Sequence, residues 1–129
     1  KVEEVGSEVE RECGVECENY GYGEIEKRGM NGLMAVSSGS EEPPRFIHLT
    51  YEPPKKTRKS IAIVGKGITF DSGGLCLKPP GSMLTMKMDM GGSAVVLGVM
   101  KAIAAIKPSV RVHGLIASSE NMTGGKAYK

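Results

Sequence analysis

An apolar run, Ile61-Ala62-Ile63-Val64, leads into a glycine-punctuated stretch and then into the apolar segment Met90 to Ile106. That succession leaves few folds open. The first run is short and β-type, which predicts a strand over Ser60–Val64. It breaks at Gly65-Lys66-Gly67. The later segment is apolar nearly all round and rich in alanine and glycine, which predicts a buried helix packed close to its neighbours. Lys107-Pro108 ends that helix, and Val110 to Ala117 reads as a further apolar strand. Strand, helix, strand at this spacing is a βαβ unit, with parallel strands and a right-handed crossover. The fold class is therefore α/β, with a mixed, mostly parallel sheet flanked by helices.

The flanking chain fits around this unit. Val2, Val5 and Val9 recur at helical spacing among glutamates, so residues 1–13 read as an amphipathic helix stopped by Gly14. Val15 to Glu18 alternates like a short strand, and Tyr22 to Arg28 makes a polar helical turn or two before Gly29. Met30 to Val36 is apolar enough to pack, and residues 37–44 form a loop by composition. Arg45 to Tyr51 alternates as a strand. Pro53-Pro54-Lys55-Lys56 then reads as a short basic turn, which predicts that this strand pairs antiparallel with Ser60–Val64 at one sheet edge. The tail from Ser118 onward reads as a loop.

Length and charge bound the rest. At 129 residues the chain fits one domain. A net charge of +2 gives no argument for a polyanion partner, and no helix-turn-helix signal is present, so nucleic acid is not expected. The acidic first third reads as a solvated helical face. No run reads as long and apolar enough to span a bilayer, so no membrane is expected. The start lacks both an initiator Met and a signal-peptide core, which suggests a chain that begins inside a larger protein. Three cysteines, Cys13, Cys17 and Cys76, suit reduced thiols in a cytoplasmic protein. Cys13 and Cys17 have no second Cys/His pair to complete a zinc site.

The chemistry concentrates between Lys59 and Gly92. The chain has two aspartates, Asp71 and Asp89, and both lie there, accompanied by Lys66 and Lys78. Lys66 and Asp71 follow the end of a strand, where sites form in open α/β sheets. Asp89 lies at the start of the apolar helix, where the dipole favours a carboxylate. Three readings are open from the residues alone. The aspartates are salt-bridged to the lysines; or the two carboxylates hold a divalent cation; or Gly65-Lys66-Gly67 cradles a phosphate, although it lacks P-loop spacing. Lys66 as a metal ligand is not expected on these grounds, because an ammonium must first lose its proton. His48 and His113 read as packed or edge histidines. Glu120 reads either as support for the site or as a core hydrogen-bonding residue, and the eight methionines are mainly packing.

Three segments carry a resemblance: V-G-K-G-I-T-F-D-S-G-G-L-C-L-K, M-K-M-D-M-G-G-S-A-V-V-L-G and S-E-N-M-T-G-G-K-A-Y. Together they resemble the catalytic domain of the leucyl aminopeptidase (cytosol aminopeptidase) family, closely over residues 30–129 and more loosely over 1–29. The resemblance implies a two-metal hydrolase that removes N-terminal residues, preferably leucine and other apolar ones, from peptides with a free N-terminus. It implies two divalent ions, Zn or Mn, with Mg or Co also compatible. Lys66 as the neutral amine, Asp71 as a bridge and Asp89 would be metal ligands. Lys78 would polarise the scissile carbonyl, and Met86 would line the pocket for the N-terminal side chain. The family's hexamer is the implied assembly. The family's N-T-D-A-E-G-R motif is absent, and M-T-G-G stands where M-P-S-G is usual. Residues 1–129 are therefore expected to be a partial catalytic domain, lacking the family's N-terminal domain and the C-terminal half of the catalytic domain, and inactive alone. The competing reading is a non-catalytic binding or structural module of the same family.

Overall fold

The computed structural model describes residues 2–129. Its elements in order are α1 (Val2–Cys13), β1 (Glu16–Tyr20), α2 (Tyr22–Lys27), α3 (Asn31–Ser37), β2 (Arg45–Tyr51) and β3 (Ser60–Asp71). After them come α4 (Pro80–Met83), a 3₁₀ turn (Met86–Met88), α5 (Gly91–Ile106) and β4 (Arg111–Asn121). The four strands form one mixed sheet in the order β1-β2-β4-β3. The βαβ unit is present as expected: β3 and β4 are parallel and α5 connects them. The pairings β1–β2 and β2–β4 are antiparallel, so the sheet is mixed as expected but not mostly parallel: β1 and β2 add to the βαβ unit on the β4 side in antiparallel order.

The expected β2–β3 pair does not form, because β4 lies between them. The link 52–59 has paired prolines and no Asn-Gly or Asp-Gly, so it lacks the chemistry of a tight hairpin. It is long enough to pass one strand width of about 4.8 Å on each side. β4 takes the inner position with Val112 and Ile116 buried, while β3 carries an edge on which Val64 is 73% exposed.

β3 also runs further than expected, straight through Gly65-Lys66-Gly67 to Asp71. The glycines are there for proximity rather than for a turn. A Cβ on Gly65 would stand 2.5 Å from the Gly92 carbonyl oxygen, and one on Gly67 would stand 2.8 Å from the Ala117 carbonyl oxygen. β4 likewise extends through Ser118–Asn121, which composition had assigned to a loop. Its residues 118–121 keep pairing with β3 across a register shift between Ile68 and Phe70.

The core lies between one face of the sheet and the pair α1 and α5. Val9 from α1, Ile47 and Leu49 from β2, Val96 and Met100 from α5, and Ile116 from β4 are all essentially inaccessible. Full burial of each such side chain is worth about 1.5–3 kcal/mol. Helix α1 ends at Gly14, with φ of 66°, where the left-handed conformation stops the helix. Lys107, also left-handed, ends α5. Only one face of α5 is packed: Ser93, Val96, Leu97 and Met100 are buried, whereas Val95 and Ile106 are exposed. The all-round burial read from its composition is therefore not found among the described residues.

Pro80–Ile106 does pass the length and composition test for a membrane span, contrary to the sequence reading. The segment is divided into α4, the 3₁₀ turn and α5, and α5 has 16 residues. Sixteen residues extend about 24 Å at 1.5 Å each, short of the roughly 30 Å hydrocarbon core. One face of α5 seats on the sheet as a core helix does.

Candidate metal centre

β3 and α5 bring the two aspartates together. Asp71 closes β3, and Asp89 follows the 3₁₀ turn just before α5. Gly65 and Gly92 let the start of α5 lie directly on β3, which brings Asp89 to Lys66. Lys66 Nζ lies 2.7 Å from Asp89 Oδ2 and 3.6 Å from Asp71 Oδ2. Lys78 Nζ approaches the same Asp71 oxygen at 3.5 Å. The sequence-predicted Lys66, Asp71, Lys78 and Asp89 thus form one cluster. Met86 sits half-buried in the 3₁₀ turn and lines neither of the two cavities nearby.

The two oxygens of Asp71 have different surroundings. Oδ1 accepts hydrogen bonds from the Gly73 amide at 2.9 Å and from Asn121 Nδ2 at 2.8 Å. Oδ2 faces the two lysine nitrogens, and the Asp89 carboxyl lies close to Asp71 as well. Burial opposes ionisation of Asp71, but the Gly73 amide, Asn121 and the Lys78 charge outweigh it and hold its carboxyl below the usual aspartate value. The Gly73-Gly74 turn makes this possible. Both residues have positive φ, 90° and 70°, so the chain turns sharply enough to point an amide back at Asp71.

Asp89 Oδ2 is buried and accepts no hydrogen bond of sound geometry. Its close partner is the Lys66 ammonium, at 2.7 Å in an ion pair. Asp89, and secondarily Asp71, raise the pKa of Lys66, so in this arrangement the side chain is an ammonium. The sequence argument against Lys66 as an amine ligand therefore applies until another cation displaces its proton.

The donor set fits a hard divalent cation. Two carboxylate oxygens converge on one point, one of them buried without a directional donor, and a lysine charge stands between them. Among the described residues no three His, Cys, Asp or Glu side chains converge, so this set is two carboxylates and one amine. The phosphate reading of Gly65-Lys66-Gly67 is not supported, since these residues lie inside a strand rather than in a loop before a helix.

Asn121 is the residue the sequence reading missed as a partner of Asp71; only its neighbour Glu120 had been singled out. Glu120 is buried and bonded elsewhere, to Ser40 Oγ at 2.7 Å and to Lys129. That matches the core hydrogen-bonding alternative. The only available signal for Asn121 is its place at the carboxyl end of the strand beside β3, and the apolar pattern of that strand ends four residues earlier, at Ala117. His48 and His113 face each other across β2 and β4, with Nε2 and Nδ1 2.9 Å apart, and Glu18 accepts at His48 Nδ1. Cys13, Cys17 and Cys76 are free thiols.

Two cavities flank the cluster. One, of about 450 Å³, is lined by Phe70, Leu77, Lys78, Met83, Leu84 and Tyr128 among others. It is mostly apolar, and Lys78 is the cluster residue among those that line it. The other, of about 680 Å³, is more polar and lies around Thr69, Ser119 and Glu120.

The chain is similar to known proteins over nearly its whole length. The family model described as cytosol aminopeptidase family, catalytic domain, matches residues 1–129. A protein of Aquifex aeolicus named probable cytosol aminopeptidase is 52% identical over 126 residues, which is 98% of this chain and 26% of that protein. A protein of the same name from Persephonella marina is 50% identical over 129 residues, again 26% of its length. The chain thus spans about a quarter of these relatives. Among solved structures, the bottromycin maturation enzyme BotP in complex with Mn superposes with a TM-score of 0.86 at 41% identity, covering 99% of this chain and 27% of that one. A matched family model over the whole chain and relatives near 50% identity lead to one conclusion: this chain belongs to the cytosol aminopeptidase family.

Proposed function

We propose that this chain is part of a metal-dependent aminopeptidase, acting in the cytoplasm on peptides with a free N-terminus and preferring leucine and similar apolar residues. The observation that carries the reading is the convergence of Asp71 Oδ2 and Asp89 Oδ2 on Lys66, with the Asp89 oxygen buried and lacking a sound hydrogen-bond donor. Family membership and the relatives' name support the peptidase reading. The family is metal-dependent, and the similar BotP structure holds Mn.

Lys66, Asp71 and Asp89 would hold the metal ions, two in number, with Zn or Mn as the leading candidates. When bound, such ions polarise a carbonyl and lower the pKa of a water. Lys66 would give up its proton to do so, since neighbouring cations disfavour its ammonium form. Lys78 would keep its ammonium. It sits 3.5 Å from Asp71 and opens onto the apolar cavity, where it can face negative charge developing on a scissile carbonyl oxygen. Met86 would contact the substrate's N-terminal side chain. Two carboxylates and one amine are fewer donors than two ions require, so residues 1–129 form a partial catalytic domain and are inactive alone. The remaining ligands come from elsewhere in the protein, in a hexamer.

The test uses the full-length protein with Asp71→Ala and Lys78→Ala. Turnover of leucine p-nitroanilide should fall by about 10²–10³ or more in each. Turnover unchanged in both would overturn the assignment and favour a non-catalytic binding module.

A further inference from the structure

Asp71 and Asn121 are cross-strand partners at the ends of β3 and β4. We infer that Asn121 is a positioning residue for the metal centre: it occupies Oδ1 of Asp71, so that Oδ2 alone is presented to the cation. The inference rests on the reading of Lys66, Asp71 and Asp89 as metal ligands.

Asn121 holds the loop after Asp71 at several points. Its Nδ2 donates to Asp71 Oδ1 at 2.8 Å, and the Gly73 amide donates to the same oxygen at 2.9 Å. Its backbone carbonyl accepts from the Ser72 amide at 2.9 Å and from Ser72 Oγ at 2.7 Å. Ser72 Oγ in turn accepts from the Gly74 amide at 3.2 Å. The fit is close, since a Cβ on Gly74 would meet Asn121 Oδ1 at 2.9 Å. The asparagine amide is thus fixed from both sides, its oxygen against Gly74 and its nitrogen on Asp71.

This has a chemical consequence. A carboxylate chelates a cation when both oxygens are free to face it. With Oδ1 saturated by two N–H donors, Asp71 offers one oxygen. Single-oxygen ligation suits small ions held at about 2.0–2.2 Å, whereas Ca²⁺ takes more oxygens, often as bidentate carboxylates, at about 2.3–2.6 Å. Asn121 therefore acts on which ion is held as well as on how tightly. No other side chain donates to Asp71 Oδ1 among the described residues.

The experiment measures Mn²⁺ and Ca²⁺ binding to the metal-stripped full-length protein by calorimetry, alongside Tm. Four chains are compared: wild type, Asn121→Asp, Ser72→Ala and Asp71→Ala. Asn121→Asp keeps the shape but replaces the donor with an acceptor. Ser72→Ala loosens the same loop without touching Oδ1. The expected result is a 10–100-fold loss of Mn²⁺ affinity in Asn121→Asp, typical of a partner behind a ligand, with the Mn²⁺-over-Ca²⁺ ratio falling at least about tenfold. Ser72→Ala should lose Tm and keep the ratio. An Asn121→Asp protein with wild-type affinity and ratio but lowered Tm would make Asn121 merely structural and overturn the inference. Asp71→Ala binding Mn²⁺ like wild type would instead overturn the ligand reading beneath it. Should Asn121→Asp not fold, the wild type still decides: Ca²⁺ bound as tightly as Mn²⁺ contradicts a single-oxygen Asp71.

Discussion

Gly65 and Gly92 touch backbone to backbone: a Cβ placed on the first would stand 2.5 Å from the carbonyl oxygen of the second. The contact seats the first turn of α5 on β3 and sets the distance from Lys66 to Asp89. Gly65→Ala should therefore force the helix away from the strand. Overpacking of this kind costs about 1–3 kcal/mol or more, readable as a lower midpoint in urea unfolding. An unchanged midpoint would mean that α5 can shift freely on the sheet.

Lys66 separates an ion-pair role from a ligand role. Arginine keeps the charge beside Asp89 and Asp71 but cannot lose its proton. Lys66→Arg in the full-length protein should retain its fold by circular dichroism and lose bound metal by mass spectrometry. Wild-type metal content in this variant would return the cluster to a plain salt bridge.

His113 titrates against its surroundings. Burial, then the charges of His48 and Arg111, lower its pKa from the ordinary 6.5, with Glu52 opposing. A histidine held neutral binds fewer protons folded than unfolded, so its contribution is complete above about 6.5 and is lost as pH falls towards the folded value. Unfolding midpoints should decline from pH 8 to pH 5, and His113→Gln should flatten that slope. Glu18 on His48 and Thr50 beside both rings are the other polar groups facing the pair.

Glu3 ties α1 to the sheet. Asn19 first, and Arg45 at 2.6 Å, hold its carboxyl below 4.5. Its stabilisation is present above 4.5 and is lost as pH falls through the lower folded value. Both side chains are about a third exposed, so the effect should stay under about 1 kcal/mol. Glu3→Gln should lower stability at pH 7 and leave it unchanged at pH 2; equal loss at both would assign the effect to packing.

Much of this was legible in the sequence. The βαβ unit showed because Ile61–Val64 and Met90–Ile106 differ in periodicity and length, and Lys66, Asp71, Lys78 and Asp89 stood out as isolated charges in apolar, glycine-rich chain. Strand order was not legible, because the link 52–59 carries no turn signal that fixes a neighbour. The glycines of β3 looked like a break because a residue's own propensity does not reveal a helix pressing on it. Asn121 was hidden for a related reason: its partner lies 50 positions away, and polar residues at a strand end resemble a loop.

The unequal anchoring of the two aspartates gives the centre one stiff jaw and one adjustable jaw. Asp71 is bolted to the sheet through β4, whereas Asp89 rides on the entrance of α5. The span between them therefore depends on how α5 seats on the sheet, through the Gly65–Gly92 contact and through Val96 and Met100 in the core. A change of shape at Met100, fully buried in that core, would therefore reach Asp89 through the seat of α5 as well as lowering stability.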